Sequence, residues 1–348
     1  MAPAAKITTK ATKQLKIAHP IMLAGMNQAA GPALAAAVTN AGGLGVIGGV
    51  GYTPEFLRDM IQELKDDLTD KNAPFGVDLL LPAVGGNARK TNTDYTGGKL
   101  FELIDVIIDE KASLFVCAVG VPPKEVVDKL HKAGIPVMNM IGHPKHVEKA
   151  LAQGVDMICA QGGEGGGHTG DVPFSVLIPA CVDLCKGRKS PLTGEDVLVI
   201  AAGGISDGRG LASSLAYGAS AVWVGTRFVA SEESGAPKAH KDAVVAAGYS
   251  DTLRSEIYTG RPLRIIKNKD AVDWEQNRST ELRKMLSEGK IPMYMRDDGV
   301  ERPHLCGAVA GIIKDIKPAK AIVDEMVAEA VSVIRESQKY IGAEQAKL

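Results

Sequence analysis

One histidine set among glycines is the clearest candidate for chemistry in this chain: Ala160-Gln161-Gly162-Gly163-Glu164-Gly165-Gly166-Gly167-His168-Thr169-Gly170. The run follows the apolar β-formers Val155–Ala160, which suit a buried strand, and its glycines strip side chains from a curving backbone. Such a main chain can lie against a flat or phosphorylated ligand. His168 is left as the side chain able to move a proton near neutral pH. Two further turns share this character, Ala202-Gly203-Gly204-Ile205-Ser206-Asp207-Gly208 and Val224-Gly225-Thr226-Arg227. Asp78 lies inside the apolar run Val77–Leu81, where a buried carboxylate needs a partner, so a ligand contact is expected of it.

The elements that must position these residues alternate regularly. Strand-like runs at Pro20–Ala24, Leu44–Ile47, Phe75–Leu81, Leu114–Val119, Ile135–Ile141, Val155–Ala160, Val197–Ala202 and Ala221–Gly225 are each followed by a helical stretch. Thr53-Pro54 opens one helix with a capping hydroxyl and a proline at its first turn. That makes eight strand-then-helix units in roughly 230 residues, the size of a (β/α)₈ barrel. The strands are apolar almost throughout, as a parallel sheet covered on both faces requires. A doubly wound sheet is the rival, because periodicity does not show closure. The count of eight favours the α/β class with a (β/α)₈ TIM barrel.

Barrel enzymes work at the carboxyl ends of their strands, and the turns after strands seven and eight commonly hold a phosphate. Bare N–H groups at Gly203, Gly204, Gly225 and Thr226 suit a monophosphate: FMN, pyridoxal phosphate or a sugar phosphate. Gly43-Leu44-Gly45-Val46-Ile47-Gly48 satisfies a dinucleotide fingerprint, but a helix precedes it and a strand lies within it, the reverse of what that motif needs. His143 and His146 flank Pro144 at a helix start, with no third ligand for a metal. No metal is expected.

Residues 1–248 read as the barrel, 249–304 as a small, mostly helical excursion after strand eight, and 305–348 as helices returning to the barrel. An excursion in that place can cap the site. The net charge of -1 gives no pull toward nucleic acid or a membrane, and no apolar run is long enough to span a bilayer. The five cysteines form no C-x-x-C pair, which fits a reducing compartment. Met1–Pro20 is basic and acid-free but lacks the arginine of an import sequence. The terminal Ala346-Lys347-Leu348 resembles the Ser-Lys-Leu peroxisomal address. The expectation is a cytoplasmic protein, with the peroxisome as the alternative and homo-oligomerisation left open.

The segments Pro20–Asn27, Asn40–Gly48, Phe75–Leu81, Ala160–Gly170, Ala201–Gly210, Val224–Phe228 and Gly311–Val323 resemble the FMN-dependent nitronate monooxygenase family, the A-Q-G-x-E-x-G-G-H-x-G loop most specifically. The resemblance implies that Gly25, Met26 and Asn27 lie along a flavin ring. It implies flavin contacts for Asp78, Gln161 and Gly166, a phosphate side at Gly203, Gly204, Trp223, Gly225 and Thr226, and His168 as catalytic histidine. Trp223 by itself reads as strand packing. The implied reaction is oxidation of a nitronate or nitroalkane by dioxygen to a carbonyl compound and nitrite. Two departures stand out. Asp78 replaces a common asparagine, exchanging an amide donor for an acceptor, and Met140-Ile141-Gly142 lacks a lysine found in quinone-reducing relatives. The alternatives are NAD(P)H-dependent reduction of a quinone or enoyl substrate, and a non-flavin aldolase or isomerase.

Overall fold

The computed structural model describes residues 6–295 and 300–342. Its parallel strands are β1 (Ile21–Leu23), β2 (Gly45–Gly48), β3 (Phe75–Leu80), β4 (Leu114–Ala118), β5 (Val137–Ile141) and β6 (Met157–Gln161). After the two-residue β7 (Gly167–His168), β8 (Leu198–Ala202) and β9 (Ala221–Val224) complete them. Neighbours run from β2 to β6, then β8, β9 and β1. A parallel bridge joins Met22 to Leu44. Leu23 N–H donates to Leu44 O and Leu44 N–H to Ile21 O, both at 2.9 Å. That bridge closes the ring and excludes the doubly wound sheet.

Alternation along each strand sends side chains to two cores. In β6, Met157 and Cys159 face the barrel interior with Leu44, Val116, Met138, Ile200 and Trp223. Ile158 and Ala160 join the layer beneath the outer helices. Those helices bring apolar stripes to that layer: Pro54–Asp67 is capped by Thr53, which accepts from Phe56 N–H, and buries Leu57, Ile61 and Leu64.

A short helix, Lys10–Leu15, precedes the barrel, with Thr9 and Thr12 in a reciprocal capping pair. Its Ala11 and Leu15, with Ile17, pack among the interior residues. Six residues are too few to show a helical period, which is why the sequence reading starts the fold at the first strand.

The excursion is where sequence and structure differ most. It contains the expected helices, Lys269–Val272, Asp273–Asn277 and Ser279–Ser287, but is entered through a hairpin of β10 (Thr252–Ser255) and β11 (Leu263–Ile266). β11 also pairs antiparallel with β7, placing Leu263 opposite His168 and Arg264 opposite Gly167. Ile257, Tyr258, Leu263, Ile265, Trp274 and Leu282 form its own small core. The final long helix, Ala319–Ser337, buries Ile322, Val323, Met326, Val327 and Ala330 in the barrel's outer layer.

The described cysteines are all free and buried. Among the described residues no helix is long and apolar enough to cross a membrane. Ala346-Lys347-Leu348 lies outside the described residues.

Leu15 is 2% exposed, so Leu15→Ala leaves a void beneath the barrel. The expected cost is about 2–5 kcal/mol in urea unfolding; a variant as stable as the parent shows that the helix does not brace the interior.

Candidate active site

Inward-facing residues at the carboxyl ends of the strands surround a cavity of about 1370 Å³. Every residue singled out from the sequence lines it: Gly25, Met26, Asn27, Asp78, Gln161, Gly166, His168, Gly203, Gly204, Trp223, Gly225 and Thr226. Asp78 and Gln161 get there by strand parity. Their neighbours Val77 and Leu79, and Ile158 and Ala160, point to the outer layer, so Asp78 and Gln161 turn inward at the top of β3 and β6.

Asp78 is only 2% exposed, and its Oδ1 has no hydrogen-bond partner. Gly25 lies so close that a Cβ there would sit 2.5 Å from the Asp78 carboxyl. Desolvation pushes the Asp78 carboxyl up to about 8. At neutral pH it is therefore a protonated acid with one O–H donor and one acceptor, much like the amide that the family resemblance leads one to expect. The sequence expectation of a bare acceptor is corrected by burial.

Gln161 Nε2 donates to Gly166 O at 3.3 Å, which shapes the glycine loop from inside. Asn27 adopts a left-handed φ of 44° in the turn after β1, and Met26 and Asn27 line the cavity there. Across the cavity, Gly203 and Gly204 hold φ of 85° and 73°, a conformation that L side chains rarely adopt. Among the described residues, the N–H groups of Gly203, Gly204, Gly225 and Thr226 have no acceptor within the chain. Thr226 Oγ1 accepts from Gly307 N–H at 2.8 Å, which leaves its own hydrogen for a ligand. These are the groups a phosphate needs. Trp223 is 4% exposed and belongs to the interior core. It packs as a floor under that turn, so the packing role read from the sequence and its place beside the cavity coincide.

His168 Nε2 lies 3.0 Å from Thr259 Oγ1. Burial, with the Arg261 charge adding to it, pushes the imidazole down to about 4. At neutral pH the ring is uncharged. Thr259 and Arg261 line the cavity too, and the sequence reading missed both. Arg261 is fixed by Nε donating to Asn92 Oδ1 at 2.9 Å. Arg264 donates to Gly163 O through Nη2 at 2.8 Å, tying the excursion to the glycine loop. A signal was present: Leu263-Arg264-Ile265 alternates apolar and charged after Gly260 and Pro262, the period of a half-buried strand.

His143 Nδ1 accepts from Lys145 N–H at 3.1 Å, a local cap. Among the described residues no group of His, Cys, Asp or Glu could hold a metal ion.

Residues 8–329 match the family model described as nitronate monooxygenase. The chain belongs to that family. It is a flavin-dependent oxidoreductase. The chain is 31% identical over 370 residues to the (3aS,4S,5R,7aS)-5-hydroxy-7a-methyl-1-oxo-octahydro-1H-indene-4-carboxyl-CoA dehydrogenase of Rhodococcus jostii, covering 94% of this chain and 97% of that one. It is 32% identical over 299 residues to a probable nitronate monooxygenase of Staphylococcus saprophyticus, covering 76% and 80%. Its fold matches FabK from Thermotoga maritima with a TM-score of 0.77 and 32% identity, over 96% of this chain and 100% of that one. The cavity suits a flavin on its own terms. It has unpaired N–H groups for a phosphate and an orphaned buried polar atom at Asp78.

Burial of Asp78 sets a pH dependence of stability. Below the ordinary carboxyl pKa of 3.8 both folded and unfolded chains are protonated and full stability is present. Between that value and about 8 only the unfolded chain ionises, so stability falls as pH rises, and above about 8 the loss is complete. The flavin-free protein should lose melting temperature more steeply from pH 5 to 8 than its Asp78→Asn variant; parallel curves would show that Asp78 ionises normally.

Proposed function

We propose that this enzyme uses FMN to oxidise alkyl nitronates with dioxygen, releasing a carbonyl compound and nitrite. One observation carries the reading: a half-buried, uncharged imidazole and two phosphate-suited glycine turns share one cavity, in a chain matched by the nitronate monooxygenase model. The relative in Staphylococcus saprophyticus that bears this name supports it.

The single cluster of N–H groups at Gly203, Gly204, Gly225 and Thr226 suits one phosphate, which favours FMN. Bound FMN supplies the electron transfer that side chains do not provide. Gly25, Met26 and Asn27 would lie along the ring, and Gln161 and Gly166 at its edge. Asp78 holds its proton where the ring's polar edge can accept it. The residues 258–263 of the excursion, held by the β7–β11 pairing, cap the cavity and keep water from the reacting atoms.

His168 is the proton-handling group. Thr259 Oγ1 lies 3.5 Å from Arg261 O, and a hydroxyl turned toward that carbonyl accepts from His168 Nε2–H. The lone pair then stays on Nδ1, and Nδ1 is the atom that takes the α-proton of a neutral nitroalkane. A nitronate already lacks that proton and needs His168 only for orientation.

A second reading, reduction of an enoyl or quinone substrate by NAD(P)H, is favoured by the size of the cavity. At about 1370 Å³ it must hold both the flavin and a second ligand, against roughly 300–1,000 Å³ for a single ligand site. Arg261 supplies a positive charge in the cavity lining, where the end of β5 has no lysine.

His168→Asn should retain flavin absorbance while nitrite release from neutral nitroalkane falls by about 10²–10⁴-fold, with a smaller loss on preformed nitronate. In the parent enzyme the nitroalkane rate should hold down to pH 5 and fall as His168 gains its proton around 4. Unchanged nitrite release with both substrates removes His168 from the reaction.

A further inference from the structure

Part of the cavity lining is basic and takes no part in the flavin-site reading. After β5 the chain places His143, Lys145, His146 and Lys149 in the cavity lining. Among the described residues no carboxylate pairs with Lys145 or Lys149. This is unlike the nearby surface, where Lys124 reaches Asp128 at 2.7 Å and Lys129 reaches Asp105 at 2.6 Å. The acid of the same helix, Glu148, is turned away to Arg188 at 2.7 Å. The positive charges bear on one another: His146 is pushed down by burial and then by Lys145, His143 and Lys149. Asp171 is a carboxylate in the same lining, and it forms no ion pair with either lysine.

Unpaired like charges in one lining are a standing attraction for an anion. The same lining carries exposed apolar side chains. Val84, Phe101 and Tyr294 are among them, 52%, 43% and 73% exposed. A small nitronate touches neither feature.

We propose that Lys145 and Lys149, flanked by His143 and His146, form a subsite for the phosphate-bearing tail of an extended second ligand whose reacting end lies at His168. The tail's class is an organic phosphate such as the 3′-phosphate of a coenzyme A thioester or the 2′-phosphate of a reduced dinucleotide. The exposed apolar wall takes an acyl or ring portion. This rests on the flavin-site reading above and adds the ligand class that the same site takes.

The test is calorimetric titration of the flavin-loaded enzyme with adenosine 3′,5′-bisphosphate, for the parent, K145A/K149A and K145R/K149R. Flavin absorbance and its bleaching by propionate 3-nitronate are recorded on the same samples. Failure of the flavin reading appears there, and failure of the subsite appears only in the bisphosphate titration. The expected result is binding that weakens with salt and is about tenfold weaker in K145A/K149A, with K145R/K149R close to the parent. Crotonyl-CoA and NADPH then identify the source of the phosphate, as the ligand whose Kd shows the same lysine dependence. No bisphosphate binding to the parent, or equal Kd in the parent and K145A/K149A, overturns the subsite.

Discussion

A loop built mostly of glycine has little side-chain packing of its own and much backbone freedom to lose, so its shape has to be imposed from outside. In this chain the antiparallel pairing of Gly167 and His168 with Arg264 and Leu263 imposes it. Arg264 reinforces the pairing by donating to Gly163 O, and Thr169 N–H by donating to Pro262 O at 3.2 Å. The barrel sets where the loop starts, and the hairpin sets where His168 ends. Thr259 reaches the imidazole from the same segment, so one excursion orients the ring and its partner together.

Burial then decides the chemistry of both titratable groups at the centre. Asp78 keeps its proton, against the habit of its residue type at neutral pH, and His168 is held fully neutral. The result is a cavity in which Asp78 and His168 are uncharged while Arg261, Lys145 and Lys149 carry charge in the same lining. Charge is kept where it can recognise a ligand, and neutral donors and acceptors where protons are handled.

The barrel was legible because a parallel strand buried on both faces writes a continuous apolar run, and each run ends in a residue type that only the carboxyl face explains. Gly203, Gly204, Gly225 and His168 stood out for that reason. Closure was not legible, since the Met22–Leu44 bridge is a pairing between the first two strands that periodicity does not record. The hairpin was missed because β11 is four residues long and sits among arginines, and Thr259 was missed because its role is defined by a partner 91 positions away. The protonation states of Asp78 and His168 depend on burial, which composition does not report.

On the proposed reading, His168 and the glycine turns serve a flavin whose first electron source is a nitronate. An anaerobic absorbance titration of the flavin-loaded enzyme with propionate 3-nitronate, run beside one with NADH, separates this from reduction. Nitronate alone is expected to bleach the flavin band. Rapid bleaching by NADH with no response to nitronate would contradict it and assign the site to reduction.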